Sequence, residues 1–224
     1  MPKTQISGWV HEPLTAILSS RAKVAVLRIL GNADEPLAYR EVVRRSGMAY
    51  RSVEFALADL AAVGIIREFS GGRERRVELR RDHRLVASLQ RLLDAEHDFF
   101  PSIRIELRAW TRTLAGSGLL SAAIVGAATR REESLGEGVQ LVAVAADSGS
   151  VAICRQRFAA VAELLRARFG VTVTLLAYDL AAARTMWRAP TAAARRDVRG
   201  AELIGGTPLE VLLSGESGEV APFA

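Results

Sequence analysis

The chain predicts a mixed α/β (α+β) fold in which two folded units are joined by a helical segment. Three observations carry that expectation. Apolar residues recur at helical spacing through the first third and end in a glycine-centred hairpin. Leucine-striped helices follow, up to Gly116-Ser-Gly118. From Leu119 onward, short β-rich runs alternate with amphipathic helices. At 224 residues there is room for one large domain or two small ones, and the apolar content of 50% is ample for a buried core. The expected boundaries are a first domain over 12–82, a helical linker and candidate dimerisation segment over 83–116, a second domain over 117–213, and a disordered tail over 214–224.

Taken in order, Pro13 to Leu30 has Leu14, Ile17, Leu18, Val24, Val26, Leu27 and Leu30 at roughly helical spacing. Gly31-Asn-Ala-Asp-Glu-Pro36 is a loop of breaker residues. Leu37 to Gly47 reads as a short helix closed by its glycine. A second helix runs from Ala49 to Gly64, with Val53, Leu57, Leu60 and Val63 on one face. Ile65–Phe69 and Arg73–Arg80 flank a Ser70-Gly-Gly72 turn as a β-hairpin. Arg81–Glu96 carries a Leu85, Leu89, Leu92, Leu93 stripe, and Phe99–Leu114 is helical beyond a weak break at Pro101. Beyond the strands around Ile124 and Val144, Val151–Phe169 reads as a helix and Val171–Ala177 as a strand. Leu180–Arg188 is helical, Ala192–Arg199 an arginine-rich helix or loop, Ala201–Ile204 a short strand and Pro208–Leu213 a last helical turn.

Helix, helix, short turn, helix, hairpin is the winged helix-turn-helix plan. The segment Ser46-Gly-Met-Ala-Tyr-Arg-Ser-Val-Glu-Phe-Ala-Leu-Ala-Asp-Leu-Ala-Ala-Val-Gly-Ile65 resembles the recognition-helix pattern of bacterial winged-helix regulators. Those read Gly-Leu-Ser, a few polar residues, Val, then Leu-x-x-Leu-x-x-x-Gly-Ile/Val. The resemblance implies double-stranded DNA as partner. Tyr50, Arg51, Ser52 and Glu54 would then face the major groove, with Arg51 suited to a bidentate contact with guanine. Phe55 would touch a thymine methyl or pack inward. Arg44 and Arg45 end the preceding helix near the DNA backbone, and Arg73, Arg75 and Arg76 follow the wing turn. Charge agrees in sign. Residues 12–82 hold 13 Lys+Arg against 10 Asp+Glu, whereas 121–224 hold 11 of each. Winged helices also serve as protein-interaction modules, and Glu54, Glu68 and Glu74 dilute the field.

Ile124-Val-Gly-Ala-Ala-Thr-Arg-Arg-Glu-Glu-Ser-Leu-Gly-Glu-Gly-Val-Gln-Leu-Val-Ala-Val144 reads as strand, small-residue turn, polar segment and strand. It resembles the signature of minimal nucleotidyltransferases, Gly-Ser-x-x-Arg-Gly followed by Ser-Asp-x-Asp-Leu. The fusion of such a domain to a winged helix is itself a known family plan, which the chain resembles over roughly 12–213. In that family the two aspartates hold the metal that carries the nucleoside triphosphate. Here they fall on Gly138 and Gln140, the serine of the turn on Ala127 and its second glycine on Arg131. The next strand, Val171–Leu175, has hydroxyls and no acid. Magnesium requires carboxylate oxygens, so neither Gly138 nor Gln140 replaces them. Glu137 stands beside a lost position on the opposite face of the strand, Glu132 and Glu133 lie in the polar segment, and Asp147 lies past the strand end. The expectation is therefore a non-catalytic domain without metal or cofactor, serving dimerisation or the sensing of a nucleotide or other small-molecule effector. Gly126, Arg130 and Arg131 are the candidate phosphate-binding residues, beside the plainer reading of an Arg-Arg-Glu-Glu loop paired with itself.

The leading expectation is a cytoplasmic, homodimeric, DNA-binding transcriptional regulator with an inactive nucleotidyltransferase-like domain. The alternatives are an active transferase using displaced acids, and an antitoxin-like protein-binding module. The net charge is +5, and the N-terminal Met1–Trp9 lacks a signal-peptide layout. Runs such as Leu119–Gly126 are too short to span a bilayer. The single Cys154 excludes an internal disulfide and is expected to pack inside its helix. His83, beside Asp82, is expected to cap a helix or bond backbone. Trp110 is expected to serve packing or a dimer interface.

Overall fold

The computed structural model describes residues 11, 13–71, 74–134 and 136–214. The chain divides into two compact units, Met1–His97 and Asp98–Ala224. The mixed α and β class expected from the sequence holds in both.

In the first unit, α1 (Pro13–Leu18) and α2 (Arg21–Gly31) replace the single expected helix. The break has a local cause: Ser20 is extended, and its side chain accepts the Lys23 backbone N–H at 3.2 Å. Lys23 itself is buried, its ammonium donating to the Ala16 carbonyl at 2.8 Å and pairing with Asp59 at 2.9 Å. Leu37–Ala38 is not the start of a helix but a short strand, β1, because it pairs antiparallel with Val77 and Arg76. Helix α3 (Tyr39–Ser46) follows and ends at Gly47, whose φ of 62° is the left-handed conformation a chain reversal there requires. Helix α4 (Tyr50–Ala62) buries Val53, Ala56, Leu57 and Leu60. Strands β2 (Ile66–Gly71) and β3 (Glu74–Leu79) form the expected hairpin, giving an antiparallel sheet ordered β1-β3-β2. Helix α5 (Val86–His97) closes the unit, with Val86 and Leu89 in the same core as Leu27, Leu57 and Ile65.

The second unit opens with α6 (Phe99–Thr113), which accommodates Pro101 in its first turn, where no intrahelical N–H is lost. Its Ile103, Leu107 and Trp110 belong to the second core. The expected 83–116 linker is thus split: α5 is built into the first unit and α6 into the second. Trp110 is fully buried, stacked edge-on against Phe158 at 5.2 Å, so it serves packing and not a surface contact. The remaining elements are β4 (Leu119–Val125), α7 (Ala127–Arg130), β5 (Val139–Ala145), α8 (Ser148–Phe169), β6 (Val173–Asp179), α9 (Leu180–Trp187), α10 (Ala192–Arg199), β7 (Glu202–Gly206) and α11 (Leu209–Ser214). The sheet order is β6-β5-β4-β7, with β5 and β6 parallel and the other pairs antiparallel.

Alternation sorts this sheet into two faces. Val139, Leu141, Ala143, Val173, Leu175 and Ala177 pack in one core with α6 and α8. Leu120, Ala123, Val125 and Val144 turn the other way, toward Ala183 of α9 and Leu209 and Leu212 of α11. Cys154 is completely buried in the first of these cores, and burial pushes its thiol up from the ordinary range. Among the described residues no helix is long and apolar enough to cross a membrane. The tail expected to be disordered lies, beyond Ser214, outside the described residues.

Candidate functional site

In the first unit the described candidate residues lie on the solvent-facing side of α4, at the end of α3 and on the hairpin. Burial of Val53, Leu57 and Leu60 turns the opposite face of α4 outward, where Arg51, Ser52, Phe55, Ala58 and Ala62 are exposed at helical spacing. The stripe carries one formal charge, on Arg51, and among the described residues that guanidinium has no ion-pair partner. Tyr50 is 55% exposed and Phe55 53%, so Phe55 does not pack inward. Glu54 is half-buried beside the stripe. Ala58 and Ala62 leave the rest of the face flat, which permits close approach of another surface to the helix backbone.

The other arginines are less free than the sequence suggests. Arg44 and Arg45 both bind Glu41, through Arg44 Nε at 2.8 Å and Arg45 Nε at 2.6 Å. These hydrogen bonds hold the Glu41 carboxyl down at about 2. Arg75 donates to Glu68 at 2.8 Å and lies over the Tyr39 ring at 4.6 Å. Arg40 pairs with Glu74 at 2.8 Å, tying the start of α3 to the hairpin. Arg76 is exposed opposite Phe69 and has no ion pair among the described residues. Arg73 lies outside the described residues. Acids three and four residues away along a helix, or diagonally across a hairpin as Glu68 is from Arg75, lie within reach of arginine heads. That spacing was visible in Glu41-x-x-Arg44-Arg45 and was missed. His83 meets its expectation, its Nδ1 accepting the Leu85 N–H at 3.3 Å ahead of α5.

In the second unit the strand signature forms no acidic centre. Gly126 links β4 to α7 with φ 86° and ψ −152°, a region that β-carbon sterics deny to other residues. Arg130 is not a free phosphate ligand: it donates to Glu132 at 2.9 Å and to Asp197 of α10 at 2.8 Å. These hydrogen bonds also raise its pKa, so it stays charged. Arg131 is exposed, in the left-handed region at φ 59°. Of the three candidate phosphate-binding residues, Arg130 is engaged by two carboxylates, whereas Arg131 has no ion pair among the described residues. The partner of Arg130 lies 67 residues away, and no local pattern announces it.

Neither aligned position can carry a metal. A β-carbon on Gly138 would stand 2.5 Å from the Thr172 carbonyl oxygen, so the glycine marks a close approach of two backbones. Gln140 is neutral and faces the α9–α11 side of the sheet, beside Val142 and Val144. The neighbouring strand offers Thr174, Leu176 and Tyr178 on that face, and no acid. Glu133 is exposed with no bond among the described residues and Glu132 pairs with Arg130, while three further acids nearby are used by the backbone. Glu137 accepts the Ser134 N–H at 2.9 Å, Asp147 caps α8 through the Ser150 N–H at 2.8 Å, and Asp179 caps α9 through the Ala182 N–H at 2.8 Å. Among the described residues no three His, Cys, Asp or Glu side chains stand together as a metal site. These residues do not fit the divalent ion that the sequence resemblance implies.

What the sequence did not reveal is a cavity of about 460 Å³ on this same sheet face, bounded by α9, α10 and α11. The chain matches no protein family, no curated protein and no solved structure.

Proposed function

We propose that the protein is a double-stranded-DNA-binding regulator whose first unit acts as a winged helix-turn-helix and whose second unit is a non-catalytic platform for dimerisation or effector sensing. The observation that carries this reading is the exposed stripe of α4, flat, free of acids and headed by Arg51. A guanidinium at the start of a helix can read guanine bidentately, and Ser52 beside it can bond phosphate or a base edge. Phe55 offers an apolar contact for a thymine methyl. Arg76 projects from the hairpin on the exposed side of β3. Arg44, Arg45 and Arg75 sit in solvent-exposed ion pairs, which salt screens and which phosphates can exchange for their own oxygens. The loss of carboxylates at Gly138 and Gln140 supports a non-catalytic second unit.

The test is binding to duplexes selected from a random pool, read by fluorescence anisotropy across a salt series. Arg51→Ala should weaken the selected site by about 1–3 kcal/mol and relax its sequence preference. Arg76→Ala should weaken all duplexes alike and reduce the salt slope by about 1. Affinity indifferent to both changes defeats the proposal. A protein partner is favoured by one observation, the exposure of Tyr50 and Phe55 together. Co-purification with a protein through Phe55, without duplex affinity, would establish that alternative. Magnesium-dependent label transfer from a nucleoside triphosphate, lost in Glu137→Gln, would instead restore catalysis.

A further inference from the structure

The two faces of the second sheet are covered differently. On the α6/α8 side the strands meet a 22-residue helix and a 15-residue helix whose large side chains fill the space between. On the other side the cover is three short helices, α9 and α10 of eight residues each and α11 of six. Short helices joined by Ala189-Pro190 do not close over a twisted sheet, and the space left is the cavity of about 460 Å³. Its floor is Val142 and Val144 of β5 with Leu176 of β6, and Met186 and Trp187 stand at its wall. Floor residues that would be solvated on an open sheet are here aliphatic.

The charge inventory of the cavity selects its ligand. Among the described residues no lysine, arginine or histidine lines it, and the one lining carboxylate, Asp197, is already bonded to Arg130 at 2.8 Å. An anion placed there would lose hydration with no free cation to replace it, since the adjoining Arg130 is engaged by Asp197 and Glu132, and in an apolar surrounding that loss costs more than the contacts return. The polar residues that line it besides Asp197 are neutral: Gln140, Tyr178 and Thr191. A half-open, mainly apolar cavity with a few neutral polar residues and an aromatic wall is a common make-up of a small-molecule site, and the volume lies within the usual range.

We infer that this cavity binds a neutral, mainly apolar small molecule with a flat ring body and one or two hydrogen-bonding groups, and that it excludes nucleotides. The inference rests on the reading of the second unit as a sensing platform and names the class of effector it takes. Gln140, exposed at the cavity edge at the position aligned with a metal-ligating aspartate, serves as a hydrogen-bonding anchor. Trp187 stacks on or packs against the ring, and roughly 15–20 non-hydrogen atoms fill the space at protein-like density.

The test titrates the full chain, without DNA, with N-phenyl-1-naphthylamine, a neutral aromatic probe that brightens in apolar sites. Saturable binding at one probe per chain is expected, with energy transfer from tryptophan that falls in Trp187→Phe. Leu176→Glu, which sets a carboxylate on the floor, should weaken binding at least tenfold. Met186→Trp should do the same by filling the space from a position that is 58% exposed, so that folding is not at issue. Millimolar ATP with magnesium should displace none of the probe. Absence of saturable binding, probe affinity unchanged in folded Met186→Trp, or displacement by ATP would each overturn the inference. Because no duplex enters the assay, its outcome is separate from that of the DNA-binding test, and displacement by ATP would point back to a nucleotide-handling domain.

Discussion

Replacing Gly138 with alanine isolates the close backbone packing at this position. The added β-carbon would lie 2.5 Å from the Thr172 carbonyl oxygen and 3.4 Å from its carbon. Relief requires the two chains to part by roughly 0.5–1 Å, since carbon and oxygen in contact settle well beyond 3 Å. The same carbonyl accepts the Val139 N–H at 2.9 Å, the bond that leads into the parallel β5–β6 ladder. Stretching it forfeits about 1 kcal/mol, and overpacking at a tight contact costs about 1–3 kcal/mol. Alanine recovers up to about 1 kcal/mol by restricting the unfolded chain, because no positive φ is demanded here. The expected net loss is therefore about 1–3 kcal/mol. Urea unfolding followed by tryptophan fluorescence reads it, since Trp110 and Trp187 both belong to the second unit. Gly138→Asp should lose at least as much, because its carboxylate adds charge beside a carbonyl oxygen. Gly138→Asp with Gln140→Asp should gain no stability from millimolar magnesium. An alanine variant as stable as the parent, or magnesium-dependent stabilisation of the double variant, would refute the reasoning.

Lys23→Met keeps the aliphatic stem but removes the head that joins Ala16, Ser19 and Asp59. Asp59 is 37% exposed and recovers water, so the expected loss is about 2 kcal/mol, less than for a fully buried pair, measured by amide exchange of α2 and α4. An unchanged exchange rate would mean the pair contributes nothing. Glu41 has its carboxyl lowered from 4.5 to about 2 by Arg44 and Arg45. A depressed folded pKa means that its contribution is complete above the ordinary value and is lost as pH falls from about 4.5 through about 2. Carbon-13 titration of the carboxyl should show that midpoint, and Arg44→Gln with Arg45→Gln should return it toward 4.5; an ordinary midpoint in the parent chain would remove the pairing.

Most elements were legible in the sequence because their causes are local. Apolar residues at helical spacing mark α4 and α8, alternation marks β5 and β6, and the glycines after α3 and α8 end their helices. Misreadings arose where a distant partner decides. Leu37–Ala38 is a strand only because Val77 and Arg76 lie alongside it, 38–40 residues later. The break between α1 and α2 was local, at the Ser20 cap, and was overlooked within an apolar pattern that spans it. Helices α5 and α6 look alike as leucine- and tryptophan-bearing stretches, yet their apolar stripes enter different cores.

The candidate sites divide in the same way. The sequence alone determined that positions 138 and 140 carry no carboxylate and that arginines cluster around α3, α4 and the hairpin, since both are matters of residue identity. Only the tertiary structure decided which arginines are free. Arg130 is taken by Asp197 across 67 residues, and Arg75 by Glu68 across a hairpin, whereas Arg51 keeps its solvent face because α4 buries its opposite side. It also decided that Gly138 lacks a side chain for a steric reason, and that the face beside it encloses an apolar cavity. The physical reason is common to both. Chemistry belongs to single residues and periodicity to near neighbours, but ion pairs, close backbone approaches and cavities depend on which distant segments the topology brings together.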